Sequence, residues 1–205
     1  MCFSGRIKSY EDSVEWFRTQ LSKFDIDTFI SINGVLDKYH QDFIDQCNVK
    51  LAHFEEYKLP YDEKLFSGRK RHETSIYNFH SMWYNRKKCV ELVEQYQKMK
   101  GIKYDVIVQF RADIISRHDF IVRCTGDNDV TIPIGNDWGG VNDQIAYGNV
   151  LAMKVYATLY DNIRTYVLDD GVTFHPETLN KHHINKLGLV LHREKFHYYL
   201  NHRRS

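Results

Sequence analysis

Three stretches of the chain carry side chains able to do chemistry just beyond hydrophobic runs. The first is Arg111-Ala112-Asp113, which follows the apolar centre Val106-Ile107-Val108. A buried central strand there delivers a carboxylate to the edge of a sheet. The Asp113 carboxylate suits a hard divalent cation, Mg²⁺ or Mn²⁺, which takes oxygen ligands and shares them with a diphosphate. Arg111 adds a second positive group. The competing reading is a surface Asp and Arg paired with each other.

The second stretch is Asp137-Trp138-Gly139-Gly140-Val141-Asn142-Asp143-Gln144. Gly139 and Gly140 permit close backbone approach by a ligand. Trp138 offers an apolar face of the kind that stacks on sugar rings. Asp143 is expected near the N-terminus of the next helix, where the macrodipole favours its ionised form. An ionised carboxylate at a cleft takes a proton from an attacking hydroxyl. A glycine turn with Asn142 or Asp143 capping that helix is the plainer alternative, and capping does not exclude catalysis. The third stretch is Phe174-His175-Pro176-Glu177, with His182 and His183 beyond it. The histidine spacing matches no zinc signature, and adjacent helical residues do not share a face. His175 is therefore read as capping a helix or lining a site.

Two weaker signals sit at the ends. Ser4-Gly5-Arg6 is a turn able to hold a nucleotide through backbone N–H groups and Arg6. The run from His192 to His197 and the final Asn201-His202-Arg203-Arg204 mix basic and aromatic residues. They read either as a grip on phosphates or RNA or as a solvated basic end.

The elements that position these residues follow from periodicity. Cys2 to Arg6 reads as a strand entering a turn, and Ser9-Tyr10-Glu11-Asp12 has the form of a capping box. Val14, Phe17, Leu21 and Phe24 mark one helical face. Thr28 to Ile32 is a strand closed by Asn33-Gly34, Tyr39, Phe43 and Cys47 mark a short helix, and Val49 to Phe54 is a further strand. Residues 57 to 73 are expected to form an exposed charged loop. The longest helix runs from about Ser75 to Met99 and stops at Gly101. The strand of Tyr104 to Phe110 leads into Arg111, and Val130 to Ile134 is a strand whose Pro133 favours its end. One helix is expected after the glycine loop, running to about Ile163. Pro176 opens another, ended by Gly188, before a strand at Leu189 to Leu191. Alternation of this kind predicts an α/β domain with a mostly parallel sheet covered by helices. Ligands bind beyond the carboxyl ends of the strands in such sheets.

Bulk properties narrow the function classes. The 205 residues carry 28 basic and 27 acidic side chains, a net charge of +1, which argues against a dedicated nucleic-acid binder. No run of 18 apolar residues exists to span a membrane, and the first residues are too short and polar for a signal peptide, which points to the cytoplasm. None of the cysteines at 2, 47, 89 and 124 forms a CxxC pair, so neither a zinc ribbon nor a redox motif is indicated.

The ordered set Phe3-Ser4-Gly5-Arg6, Tyr104-Asp105-Val106 to Arg111-Ala112-Asp113, Gly139 to Gln144, and His175-Pro176-Glu177 resembles a family of viral and bacterial GT-A glycosyltransferases, some of which glycosylate a viral capsid protein. The resemblance covers essentially the whole chain. It implies a single GT-A (Rossmann-like) domain over 1–205, with the nucleotide held by about 1–115 and the acceptor by about 116–205. It implies a UDP-sugar donor, Mn²⁺ or Mg²⁺ at Asp113, and a glycan or glycoprotein acceptor such as a capsid protein, in host cytoplasm if viral. Ser4, Gly5, Arg6, Arg111, Asp113, Trp138, Gly139, Gly140 and His175 fall to the donor side. Arg111 stands where the family's acidic motif has its first acid. The Trp138-Gly139-Gly140 loop with Asp143 also resembles the acidic loop of inverting galactosyltransferases, which makes Asp143 the base. A non-catalytic nucleotide-sugar- or glycan-binding module is the alternative.

Overall fold

Period-two burial builds the centre of the molecule. In β2 (Thr28–Asn33), Phe29 faces one hydrophobic cluster while Ile30 and Ile32 face another on the opposite side of the sheet. Strands alternate their side chains in this way, so both faces must be covered. In β1 (Cys2–Ser4), Cys2 and Phe3 divide likewise, and in β4 (Val106–Arg111) so do Ile107 and Phe110. The computed structural model describes residues 1–4, 11–71, 74–111, 113–116, 118–123 and 126–200.

Seven strands form the main sheet in the order β3-β2-β1-β4-β7-β6-β8, where β3 is Val49–Glu55, β6 Asp129–Pro133, β7 Ile145–Asn149 and β8 Val190–Glu194. Neighbours are parallel except for β7, which runs antiparallel between β4 and β6. A small antiparallel pair joins β5 (Ile114–Ser116) to β9 (Tyr198–Leu200). One face is covered by α1 (Glu11–Leu21) and α2 (Lys38–Gln46), through Phe17 and Phe43. The other is covered by α3 (Ile76–Lys100), α4 (Val150–Ala157), α5 (Leu159–Leu168) and α6 (Pro176–Lys186). Thus the expected α/β layering with a mostly parallel mixed sheet is present.

The spine of this second layer is α3. Its Ser75 hydroxyl caps the first turn by accepting from Asn78 N (3.2 Å), and Gly101 at φ 66° ends it in the left-handed conformation. Sandwiched between the sheet and α4–α5, it buries polar Asn85 as well as Trp83 and Val93. Asn85 is satisfied by the Ser31 hydroxyl (2.7 Å) and by donating to Ser81 O (2.7 Å).

Several expectations are corrected. Asp143 does not lead into a helix: the chain enters β7, and α4 starts only after Asn149, whose side chain accepts from Ala152 N (2.8 Å). The dipole argument for Asp143 therefore falls. Only five residues long and containing Gly148, β7 gives little periodic signal. That glycine lets the strand lie against β6, since an added Cβ would stand 2.4 Å from Asp129 O. The single helix expected to Ile163 is two, broken at Thr158. Residues 57–71 are not a wholly exposed loop: Tyr57 and Phe66 are buried, the latter on a 3₁₀ turn, Glu63–Phe66. Phe24 and Tyr39 are exposed rather than core-facing. Gly5, Arg6, the start of the expected capping box at Ser9-Tyr10, Cys124 and Asn201 to Arg204 lie outside the described residues.

Candidate functional site

The sheet changes direction between β1 and β4: β2 and β3 extend to one side of β1, while β4 lies on the other. Ligand crevices in open α/β sheets form at such a reversal, beyond the carboxyl ends of the strands. There Ser4 pairs in register with Arg111. Because β7 is antiparallel, with Ile145 opposite Phe110, the residues just before it arrive beside the end of β4. That register brings Asp143 to Arg111. A cleft of about 680 Å³ opens here, and its walls include Arg71, Arg111, Trp138, Asp143, His175 and Glu177.

Polar groups hold the loop that carries Asp143. Asn142 is fully buried; its N–H donates to Asp137 Oδ1 (2.9 Å), and its Nδ2 donates to Gly135 O (2.8 Å) and to the Tyr198 hydroxyl (2.7 Å). Its Oδ1 accepts from Gln144 N (2.8 Å), so it closes a turn rather than capping a helix. The Tyr198 hydroxyl donates to Gln144 Oε1 (2.8 Å), and Asp137 is clamped by Arg193 Nη2 (2.8 and 3.0 Å). From behind, the buried guanidinium of Arg86 donates to the Asp143 carbonyl.

The loop also leans on α6. Val141 N donates to Glu177 O (2.9 Å), and Asn180 Nδ2 donates to Asn142 O (2.9 Å). A Cβ on Gly140 would sit 1.9 Å from Glu177 O, so the close approach that Gly140 permits is with the first turn of α6. Gly139 adopts φ 89° and Trp138 φ 42°. A tryptophan in the left-handed region costs about 1 kcal/mol or more. Trp138 keeps that conformation as a residue 68% exposed in the wall of the cleft, its carbonyl accepting from Arg71 Nη1 (2.9 Å).

Charges in the cleft act on one another. Burial pushes the Glu177 carboxyl up from 4.5 to about 7, and the Asp143 charge adds to the effect. His175 is lowered by burial and by the Arg71 charge, which keeps its ring neutral at neutral pH; its Nδ1 lies 3.3 Å from Glu177 Oε2. His175 is the N-cap residue of α6 but makes no side-chain cap bond, so it lines the site rather than capping. Burial works against the Arg111 charge, and the Asp113 carboxylate, helped by Asp143, more than offsets it, so the pKa is raised.

Asp113 does not line the cleft. Both its oxygens accept from Arg111, from Nε at 3.0 Å and from Nη2 at 2.8 Å. Among the described residues no group of three or more His, Cys, Asp or Glu side chains is placed to hold a metal ion. The donor set at the end of β4, one carboxylate whose charge the Arg111 guanidinium already balances, therefore does not fit a resident Mn²⁺ or Mg²⁺.

Of the residues singled out in the sequence, Arg111, Trp138, Asp143 and His175 meet in one cleft. Ser4 lies buried beside Arg111, Gly139 and Gly140 shape the wall, and Asp113 stands behind Arg111. Arg71, Glu177 and Tyr198 were missed. Arg71 falls in a charged stretch that reads as a loop, and Tyr198 in the basic end. Glu177 had a visible signal, an acid in the first turn of a helix opened by Pro176.

A family model described as a domain of unknown function (DUF7796) matches residues 82–178, from within α3 to the first turn of α6. No curated protein matches the chain significantly. Among solved structures, the galactosyltransferase LgtC in complex with donor and acceptor sugar analogs superposes with a TM-score of 0.55 at 12% identity, over 94% of this chain and 72% of that one. A nucleoside-diphosphate-sugar pyrophosphorylase from Vibrio cholerae RC9 gives 0.47 at 14% identity (91% and 79% covered). A putative nucleotide-diphospho-sugar transferase from Desulfovibrio desulfuricans G20 gives 0.45 at 11% (95% and 79%). The chain has the GT-A fold. Among the described residues no helix is long and apolar enough to cross a membrane.

Proposed function

We propose that this protein is a glycosyltransferase that moves a sugar from a UDP-sugar to a hydroxyl of a glycan or glycoprotein, with inversion. One observation carries the reading: the Asp143 carboxylate and the Arg111 guanidinium, 32 residues apart in sequence (143 − 111), open onto one cleft at the reversal point of the sheet. The GT-A fold supports it, since the LgtC structure that shares the fold holds donor and acceptor sugar analogs. Residues before about 115 form the donor side, with Ser75 and Asn78 at the positive end of the α3 dipole. Those after it, from Trp138 to Glu177, form the acceptor side.

The chemistry follows from the placement. Asp143 takes the proton of the acceptor hydroxyl, whose oxygen bonds to the anomeric carbon. The bond from that carbon to the terminal phosphate oxygen breaks, and its electron pair leaves with the diphosphate. Glu177 holds a proton up to about pH 7, so in mildly acidic solution it adds no negative charge beside Asp143. Trp138 stacks on a sugar ring, which gives a reason for its strained, exposed conformation.

The test is a transfer assay across UDP-hexoses and a UDP-deoxyhexose such as UDP-rhamnose, with glycan acceptors. Asp143→Asn is expected to lower turnover by roughly 10²-fold or more, in the range of a lost general base, while UDP affinity changes little. Wild-type turnover in that variant removes Asp143 from the base role. Absence of transfer from every donor, with nucleotide still bound, favours the non-catalytic binding module.

A further inference from the structure

We propose that the donor diphosphate is gripped by two guanidinium groups, those of Arg111 and Arg71, in place of a divalent cation, with Asp113 acting as the residue that positions Arg111. This rests on the reading of the cleft as a UDP-sugar site.

The geometry at the end of β4 assigns the roles. Arg111 lines the cleft and Asp113 does not. The Asp113 carboxylate takes Nε and one N–H of Nη2 in a two-point pair, which fixes the plane of the guanidinium. An arginine carries five N–H donors. Those on Nη1 and the second on Nη2 have no partner among the described residues, and they belong to a side chain that faces the cleft. A carboxylate held this way has its charge balanced by its arginine. A metal there would meet a partly buried carboxylate whose charge is already balanced and would stand beside the Arg111 cation, whereas an incoming phosphate only has to meet the donors that remain.

Arg71, which lines the same cleft, supplies the second group. Its Nη1 is anchored on Trp138 O (2.9 Å) and lies 3.5 Å from His175 Nε2. Its Nη2 and Nε have no hydrogen-bond partner among the described residues. The first turn of α3, which carries no acidic residue, adds the positive end of a helix dipole to the same wall. Arginine forks match phosphate oxygens in pairs, so two of them and a helix terminus form a coherent anion site. In the transfer step the glycosidic electron pair ends on the terminal phosphate oxygen, and these two cations neutralise the added charge.

Calorimetric titration with UDP and UMP, in excess EDTA and in excess Mn²⁺, tests this on wild type, Arg111→Gln, Arg71→Gln and Asp113→Asn. UDP affinity is expected to agree within about two-fold between EDTA and Mn²⁺. Each Arg→Gln change is expected to weaken UDP roughly 10- to 100-fold, the cost of a lost charged hydrogen-bond pair. UMP affinity should move much less, which shows that the folded site persists. Asp113→Asn should weaken UDP while leaving the binding independent of Mn²⁺. Binding of UDP only with Mn²⁺, abolished in Asp113→Asn, overturns the two-arginine grip and leaves the transferase reading standing. Unchanged UDP affinity in both arginine variants overturns it as well. Absence of UDP binding under either condition overturns both.

Discussion

Replacing Glu177 by Gln should stabilise the protein, and only on the alkaline side. Glu177 is 8% exposed, and burial, with the neighbouring Asp143 charge second, raises its carboxyl from 4.5 to about 7. In the unfolded chain the acid loses its proton near 4.5; in the folded protein it keeps the proton until about 7. Between these values the folded state binds more protons, so stability falls as pH rises through the interval. At about 1.4 kcal/mol for each tenfold difference in proton affinity, the full loss above pH 7 is about 3 kcal/mol. Glutamine is nearly isosteric with the protonated acid and cannot ionise. Urea denaturation of wild type and Glu177→Gln at pH 5 and pH 8 reads the difference directly. Near pH 5 the two should lie within about 1 kcal/mol. At pH 8 the variant should be more stable by about 2–3 kcal/mol, or roughly 5–10 °C in Tm for a domain of this size. His80 and His183 also titrate with folding, but they are common to both proteins and cancel. In an Asp143→Asn background the gap should narrow without closing, because burial is the larger cause. A gap of equal size at both pH values would refute the reasoning, since a pH-independent gain means packing and not a buried charge.

The close contact at Gly140 makes Gly140→Ala a sharp test of the wall between the loop and α6. It should cost about 2–4 kcal/mol by denaturation, because backbone has to move, and transfer activity should fall with it; a neutral change removes the contact as the reason for glycine. Trp138→Gly separates strain from function. It relieves a left-handed tryptophan, so Tm should hold or rise slightly, while KM for the sugar substrate rises several-fold. A fall in Tm with unaltered kinetics would assign the ring a structural role.

Much of the frame is legible in the residues themselves. The β-branched and aromatic run Thr28 to Ile32, the apolar centre of β4, and the capped and glycine-stopped α3 each announce their element, because local propensity and burial agree there. Arg111, Trp138, Asp143 and His175, which line one cleft, stand out by residue type and by their place at the ends of hydrophobic runs. Where local signal and tertiary role part company, the residues mislead. Ile145 to Asn149 looks like the start of a helix, and only the slot between β4 and β6 makes it a strand. Phe66 sits among charges and looks solvated, yet it packs on Phe174 with ring centroids 5.1 Å apart.

The order of elements and the side chains able to do chemistry are thus properties of the chain read by itself. The pairings are not. Whether Asp113 would face a cation or clasp Arg111, and whether Gly140 would make room for a ligand or for α6, turned on which groups the fold brought within 3 Å of each other. Sequence spacing specifies periodicity along one element, whereas hydrogen bonds, desolvation and charge pairing depend on distances between elements far apart in the chain. Arg71, Glu177 and Tyr198 gained their places beside Asp143 only when α6, β9 and the segment before α3 closed around it.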